Sequence, residues 1–117
     1  MQMRYVKQAA QEGGVGLKGV KIRIDRDPEK ASENFYFLAS TADNGKEIIL
    51  FPRAFTDTET LVKTLGHERQ HILQRQLYGK DVTQETMTLW EDAAYSLEDL
   101  FWDYYKLNKS GKLDRFN

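Results

Sequence analysis

Thr64-Leu65-Gly66-His67-Glu68-Arg69-Gln70-His71-Ile72-Leu73 is the stretch from which the rest of the chain can be read. Both histidines of the chain lie in it, spaced as H-E-x-x-H. A helix turns by about 100° per residue, so His67 and His71 stack one turn apart on one face. Two imidazoles so placed can converge on one metal ion, and Glu68 stands at the flank, where it can act as a general base on a water. That chemistry requires a helix, and the flanking sequence supplies one. Leu61, Val62, Leu65, Ile72, Leu73 and Leu77 form an apolar face at helical spacing from about residue 58 to Tyr78. Thr56 and Glu59 have capping-box spacing at its start, and Gly79 is a natural terminator.

Upstream, residues 3–12 carry Tyr5, Val6, Ala9 and Ala10 at helical spacing, and Gly13, Gly14 and Gly16 end that helix. Val20 to Asp25 alternates apolar and polar, the pattern of a half-buried strand with Lys21 and Arg23 on its solvated face. Asn34 to Ser40, rich in aromatics, reads as a second strand. Asp43-Asn44-Gly45-Lys46 suits a type I′ hairpin turn, and Glu47 to Phe51 returns as a third strand that stops at Pro52 or lies at an edge. Downstream, Asp81 or Thr83 caps a long helix reaching about residue 107. Its apolar stripe is Met87, Trp90, Ala94, Leu97, Phe101 and Tyr104. The aromatic run Phe101 to Tyr105 is read as core packing, and Lys106 to Asn117 as a polar, fraying tail. The expected architecture is α+β in one domain over residues 1–117: an N-terminal helix, a small, mainly antiparallel three-stranded sheet, the histidine helix and a long last helix.

Composition narrows the chemistry. The chain has 117 residues, 40% hydrophobic and 30% charged, with a net charge of −1. That balance gives no electrostatic footprint for nucleic acid or an anionic membrane. No apolar run approaches a membrane span, and the start of the chain lacks the pattern of a signal peptide. A cytosolic setting is expected, with leaderless export or excision from a longer polypeptide as alternatives. Cysteine is absent, which removes disulfides, thiolate nucleophiles and thiolate metal ligands. Any metal must be held by nitrogen and oxygen.

Catalytic zinc usually takes three protein ligands and keeps one position for water. With both histidines used, the third ligand must be a carboxylate, and the last helix offers Glu91, Asp92 and Glu98. Glu91 lies about 60° and Glu98 about 40° from Ala94, on the edges of the apolar stripe, whereas Asp92 is about 160° away. Glu91 therefore ranks first, Glu98 second and Asp92 third.

At this point the sequence resembles the gluzincins, zinc metallopeptidases with two motif histidines and a glutamate on the next helix. Their extended motif has a small or β-branched residue, two more residues, H-E-x-x-H and two apolar residues. Thr64 to Leu73 matches it except at Arg69, where an uncharged residue is usual; a solvent-facing arginine fits. Glu91 follows His71 by twenty residues, a spacing found in several gluzincins, and Ala94 stands three residues after it. Other minimal members have a longer gap, nearer that of Glu98. The resemblance extends loosely over residues 34–105. It implies zinc as cofactor, a peptide or protein substrate and Glu68 as base. It also implies a tyrosine, Tyr78 or Tyr95, as oxyanion donor, and an edge strand, here Glu47 to Phe51, that pairs with substrate backbone.

Three functions compete. The leading expectation is a small zinc metalloendopeptidase. The second is a non-catalytic or vestigial zinc module of a larger assembly, since related small domains occur in phage, toxin and regulatory proteins. The third is a metal-free histidine pair packed in a core, an awkward arrangement for two buried imidazoles beside a glutamate.

Overall fold

The helix carrying the histidines begins where a side chain replaces the first missing backbone acceptors. In the computed structural model, which describes residues 2–31, 37–41, 46–79 and 83–110, Asp57 is the N-cap. Its Oδ1 accepts from Thr60 N at 2.7 Å. The expected Thr56–Glu59 capping box does not form. Thr56 Oγ1 instead donates to Arg53 O at 2.8 Å, closing a 3₁₀ turn over Pro52–Phe55. The helix runs Thr58–Tyr78 and stops at Gly79, whose φ of 82° is open to glycine and strained for other residues.

The elements in chain order are α1 (Gln2–Glu12), β1 (Lys21–Ile24), a 3₁₀ turn (Pro28–Ala31), β2 (Ala39–Thr41), β3 (Glu47–Leu50), the Pro52–Phe55 turn, α2 (Thr58–Tyr78) and α3 (Gln84–Lys109). The class is α+β, as expected, but the sheet is mixed. Its order is β1-β3-β2. β1 pairs parallel with β3, from Lys21↔Glu47 to Ile24↔Leu50, and β2 pairs antiparallel with it, from Ala39↔Leu50 to Thr41↔Ile48.

This order corrects the expectation of an edge at Glu47 to Phe51. β3 is the central strand, with Ile48 and Leu50 fully buried. Burial along it alternates, with Ile48 and Leu50 on the core side and Glu47 and Ile49 partly exposed. The edges are β1 and β2. Glu47 reaches Arg23 at 3.4 Å and Lys21 at 3.9 Å, which favours setting the basic face of β1 beside β3. The expected Asn34–Ser40 strand narrows to Ala39–Thr41 within the described residues, and the Asn44-Gly45 turn lies outside them.

The core gathers Val6 and Ala10 of α1, the buried side of β3, and Leu61, Val62, Leu65 and Ile72 of α2. Leu73 and Leu77, expected on that apolar face, are exposed (39% and 72%), and Gln74 is buried instead. On α3, Phe101, Trp102 and Tyr105 pack against the core, while Met87 and Tyr104 of the expected stripe are 48% and 43% exposed. Thr83, not Asp81, is the α3 cap, with Thr86 N donating to its hydroxyl at 3.2 Å; Asp81 lies outside the described residues. The helix continues to Lys109, two residues past the expected end.

One close approach fixes how α2 and α3 meet. A Cβ on Gly66 would lie 2.2 Å from Cδ2 of Phe101. Glycine at this position lets the Phe101 ring sit on the α2 backbone, one residue before His67. No helix of the described residues is long and apolar enough to cross a membrane.

Candidate metal centre

Beside its apolar face α2 carries polar residues. Among them Thr64, His67, Glu68 and Gln74 are all buried. Buried polar groups need partners, and α3 and β2 supply them for His67, Glu68 and Gln74.

His67 Nε2 and His71 Nε2 lie 3.1 Å apart. Glu91 Oε1 is 2.9 Å from the first and in closer contact with the second. His67, His71 and Glu91 thus bring one donor atom each to a common point. Tetrahedral zinc with bonds of about 2.0–2.1 Å holds its donors roughly 3.3 Å apart, close to the separation of the two ring nitrogens.

The other ring nitrogens each have an acceptor within reach. His67 Nδ1 is 2.7 Å from Glu98 Oε2, a carboxylate that only accepts. His71 Nδ1 is 2.9 Å from Gln74 Oε1. The amide orientation of Gln74 follows from its Nε2, which donates to Trp90 O at 3.1 Å. With a cation at the common point, each ring would carry its proton on Nδ1, toward Glu98 or Gln74, and turn its Nε2 lone pair inward. Three lone pairs aimed at one point repel one another. A single proton relieves one pair of these acceptors, whereas a divalent cation satisfies all three, so the donor set fits zinc.

The candidate residues fall in three groups. His67, His71 and Glu91 form the cluster. Glu98, ranked second as a ligand, holds the far nitrogen of His67. Asp92 is exposed and does not join the cluster. Glu68 is 8% exposed, and its Oε2 accepts from Thr41 Oγ1 at 2.6 Å. Tyr95 sets its ring edge-on to His67, with centroids 4.6 Å apart. Partial burial, then the fields of Glu91, Glu98 and Glu68, push its phenol above the usual tyrosine pKa. At neutral pH that phenol is a donor. The side chain of Tyr78 lies outside the described residues. Arg69 does not face solvent freely. Its Nε donates to Gly16 O at 2.7 Å, and its Nη1 is buried with no hydrogen-bond partner among the described residues.

Two cavities meet here. One, of about 650 Å³, is lined by Thr41, His71, Arg75, Met87 and Trp90. The other, of about 550 Å³, is lined by Leu38, Ala39, Ser40, Thr64, Tyr95 and Glu98. Glu68 and Glu91 line both, so the cluster sits at their junction.

The sequence reading missed Thr41, Gln74 and the role of Glu98. Gln74 follows His71 by three residues on the same helix, and that spacing was a usable signal. Thr41 is twenty-seven residues before Glu68 and carried no signal. Compared with family models, curated proteins and solved structures, the chain matches none, so its function is read from its own residues.

Proposed function

We propose that the chain is a zinc-dependent endopeptidase. The observation that carries this reading is the convergence of His67 Nε2, His71 Nε2 and Glu91 Oε1 beside the buried carboxylate of Glu68. His67, His71 and Glu91 hold the metal, and Glu98 and Gln74 fix the tautomers of the two rings. Zinc, when bound, lowers the pKa of a coordinated water and polarises the scissile carbonyl.

Glu68 takes a proton from the attacking water as its oxygen bonds to the carbonyl carbon. As the C–N bond breaks, Glu68 gives that proton to the leaving nitrogen. The Tyr95 phenol, protonated at neutral pH and beside His67, would serve as donor for the negative oxygen that forms. The paired cavities favour an endopeptidase, because each takes the chain on one side of the cleaved bond. β2 lies beside α2, and no strand of the described residues pairs with its other edge. Main-chain pairing there would hold an extended peptide across the junction.

The test joins metal analysis with one substitution. Mass spectrometry of protein purified without a histidine tag should find about one zinc per chain, lost in His71→Ala. Glu68→Gln should keep the zinc and lose turnover of a denatured protein substrate by about 10²–10⁴-fold. Failure to take up zinc on dialysis would overturn the reading. Zinc that stabilises the fold while Glu68→Gln changes nothing would leave a structural site.

A further inference from the structure

The hydroxyl of Thr41 gives the site an unassigned part. Glu68 is buried, and a buried carboxylate needs a donor close by. Thr41 Oγ1 lies 2.6 Å from Glu68 Oε2 and 3.4 Å from the Glu68 carbonyl oxygen. A hydroxyl has one proton to give, and the short, charge-assisted bond takes it. The bond anchors Oε2 and so restricts the orientation of the whole carboxylate.

The position of the hydroxyl is set from behind. Thr41 pairs with Ile48 of the central strand, and Ile48 is fully buried. Threonine is also stiff at χ1. The donor therefore sits on a strand paired to the buried β3, while the acceptor is a longer side chain on α2. Thr41 lines the cavity of His71 and Trp90, and its neighbours Ala39 and Ser40 line the other. β2 thus crosses from one cavity to the other, and Thr41 marks the crossing beside Glu68.

We infer that Thr41 is a positioning residue for the base, tying the Glu68 carboxylate to the strand along which substrate lies. This inference rests on the peptidase reading. A peptide seated on β2 and the base that acts on it then share one frame, and small shifts of the strand are felt at Glu68.

Thr41→Val removes the hydroxyl and keeps the branched shape, while Thr41→Ser keeps the hydroxyl. Zinc-loaded Thr41→Val should bind metal as the parent does. Its kcat should fall about 10- to 100-fold with KM changed less than about 2-fold, because misplacing a reacting group costs rate and not binding. Thr41→Ser should recover kcat to within about 3-fold of the parent. Full kcat in Thr41→Val, a loss confined to KM, loss of zinc, or a serine variant as slow as the valine one would each overturn the inference. Thr41→Ala carries the same comparison should the valine variant not fold. Crystal structures of the zinc-loaded parent and Thr41→Val read the inference without turnover. The Glu68 carboxylate should leave its rotamer in the variant, and an unchanged rotamer overturns the positioning role. A zinc-loaded parent that cleaves no peptide sinks the peptidase reading alone, and the crystal structures still judge Thr41.

Discussion

The two ends of the α2–α3 pair are held by different forces. At the end formed by the first half of α2 and the last half of α3, the contacts are close and largely apolar. Phe101 lies on Gly66, Tyr104 rests against Gly14, and Trp102 and Tyr105 pack on the core. Lys109 and Asn108 tie the end of α3 to Glu12 of α1, at 3.2 Å each. At the other end, Leu73, Leu77, Met87 and Leu89 are exposed, and the contacts joining the helices run through Gln74, Trp90 O, His71 and Glu91. The closed end is stabilised by removal of apolar surface from water. The open end is held by polar contacts among His71, Gln74, Glu91 and the Trp90 carbonyl. Zinc bound as proposed would supply part of the stability of this end.

Breaking the open end at a proposed metal ligand should give the largest effect. Glu91→Ala should weaken zinc binding by more than the roughly 10- to 100-fold typical of losing an outer partner. Isothermal titration of the purified protein would show this, and wild-type affinity in Glu91→Ala would remove it from the ligand set. Zinc at about 100 times its Kd should add roughly 2.7 kcal/mol of stability. Hydrogen exchange should locate that gain: residues 71–79 and 83–91 slow on zinc addition, and residues 58–66 stay as they were. Uniform protection of both ends would contradict the division drawn here.

The closed end is tested by Gly66→Ala. Its methyl must displace the Phe101 ring, and overpacking of this kind costs about 1–3 kcal/mol. Urea unfolding of the metal-free protein would measure it, and an unchanged midpoint would show that the helices are free to part there. Glu98→Gln sharpens the contrast between two carboxylates on one helix. It should weaken zinc about 10-fold, less than loss of Glu91, because it removes only the acceptor behind His67. The smallest effect belongs to Asp57. The Thr60 backbone N–H holds its carboxyl below the ordinary range, so the stability it lends is present above that range and is lost as pH falls through the lowered pKa. Asp57→Ala should lower the melting temperature by a few degrees at neutral pH, and the difference from the parent should vanish in acid.

Much of this was legible in the residues. The helical register of His67 and His71, the stop at Gly79 and the nearness of Glu91 and Glu98 to the apolar edge of α3 all follow from local periodicity, which a helix obeys wherever it is placed. The order α, three strands, α, α was legible for the same reason. The sheet order was not. Strand pairing joins residues distant in sequence, and the alternation of Val20 to Asp25 says which face is buried without saying which neighbour it meets. Pro52 drew attention to an edge, whereas β3 is the central strand with one face fully buried.

The sequence by itself determined the chemistry available: two imidazoles, a set of carboxylates, no thiolate, and a helix that puts both imidazoles on one side. Only the tertiary structure decided which carboxylate shares their lone pairs and which stands behind the ring. That choice depends on how closely α3 settles on Gly66, a matter of packing between elements. It also decided that Thr41 meets Glu68, because a contact across twenty-seven residues is made by strand register and burial, and neither leaves a local pattern to read.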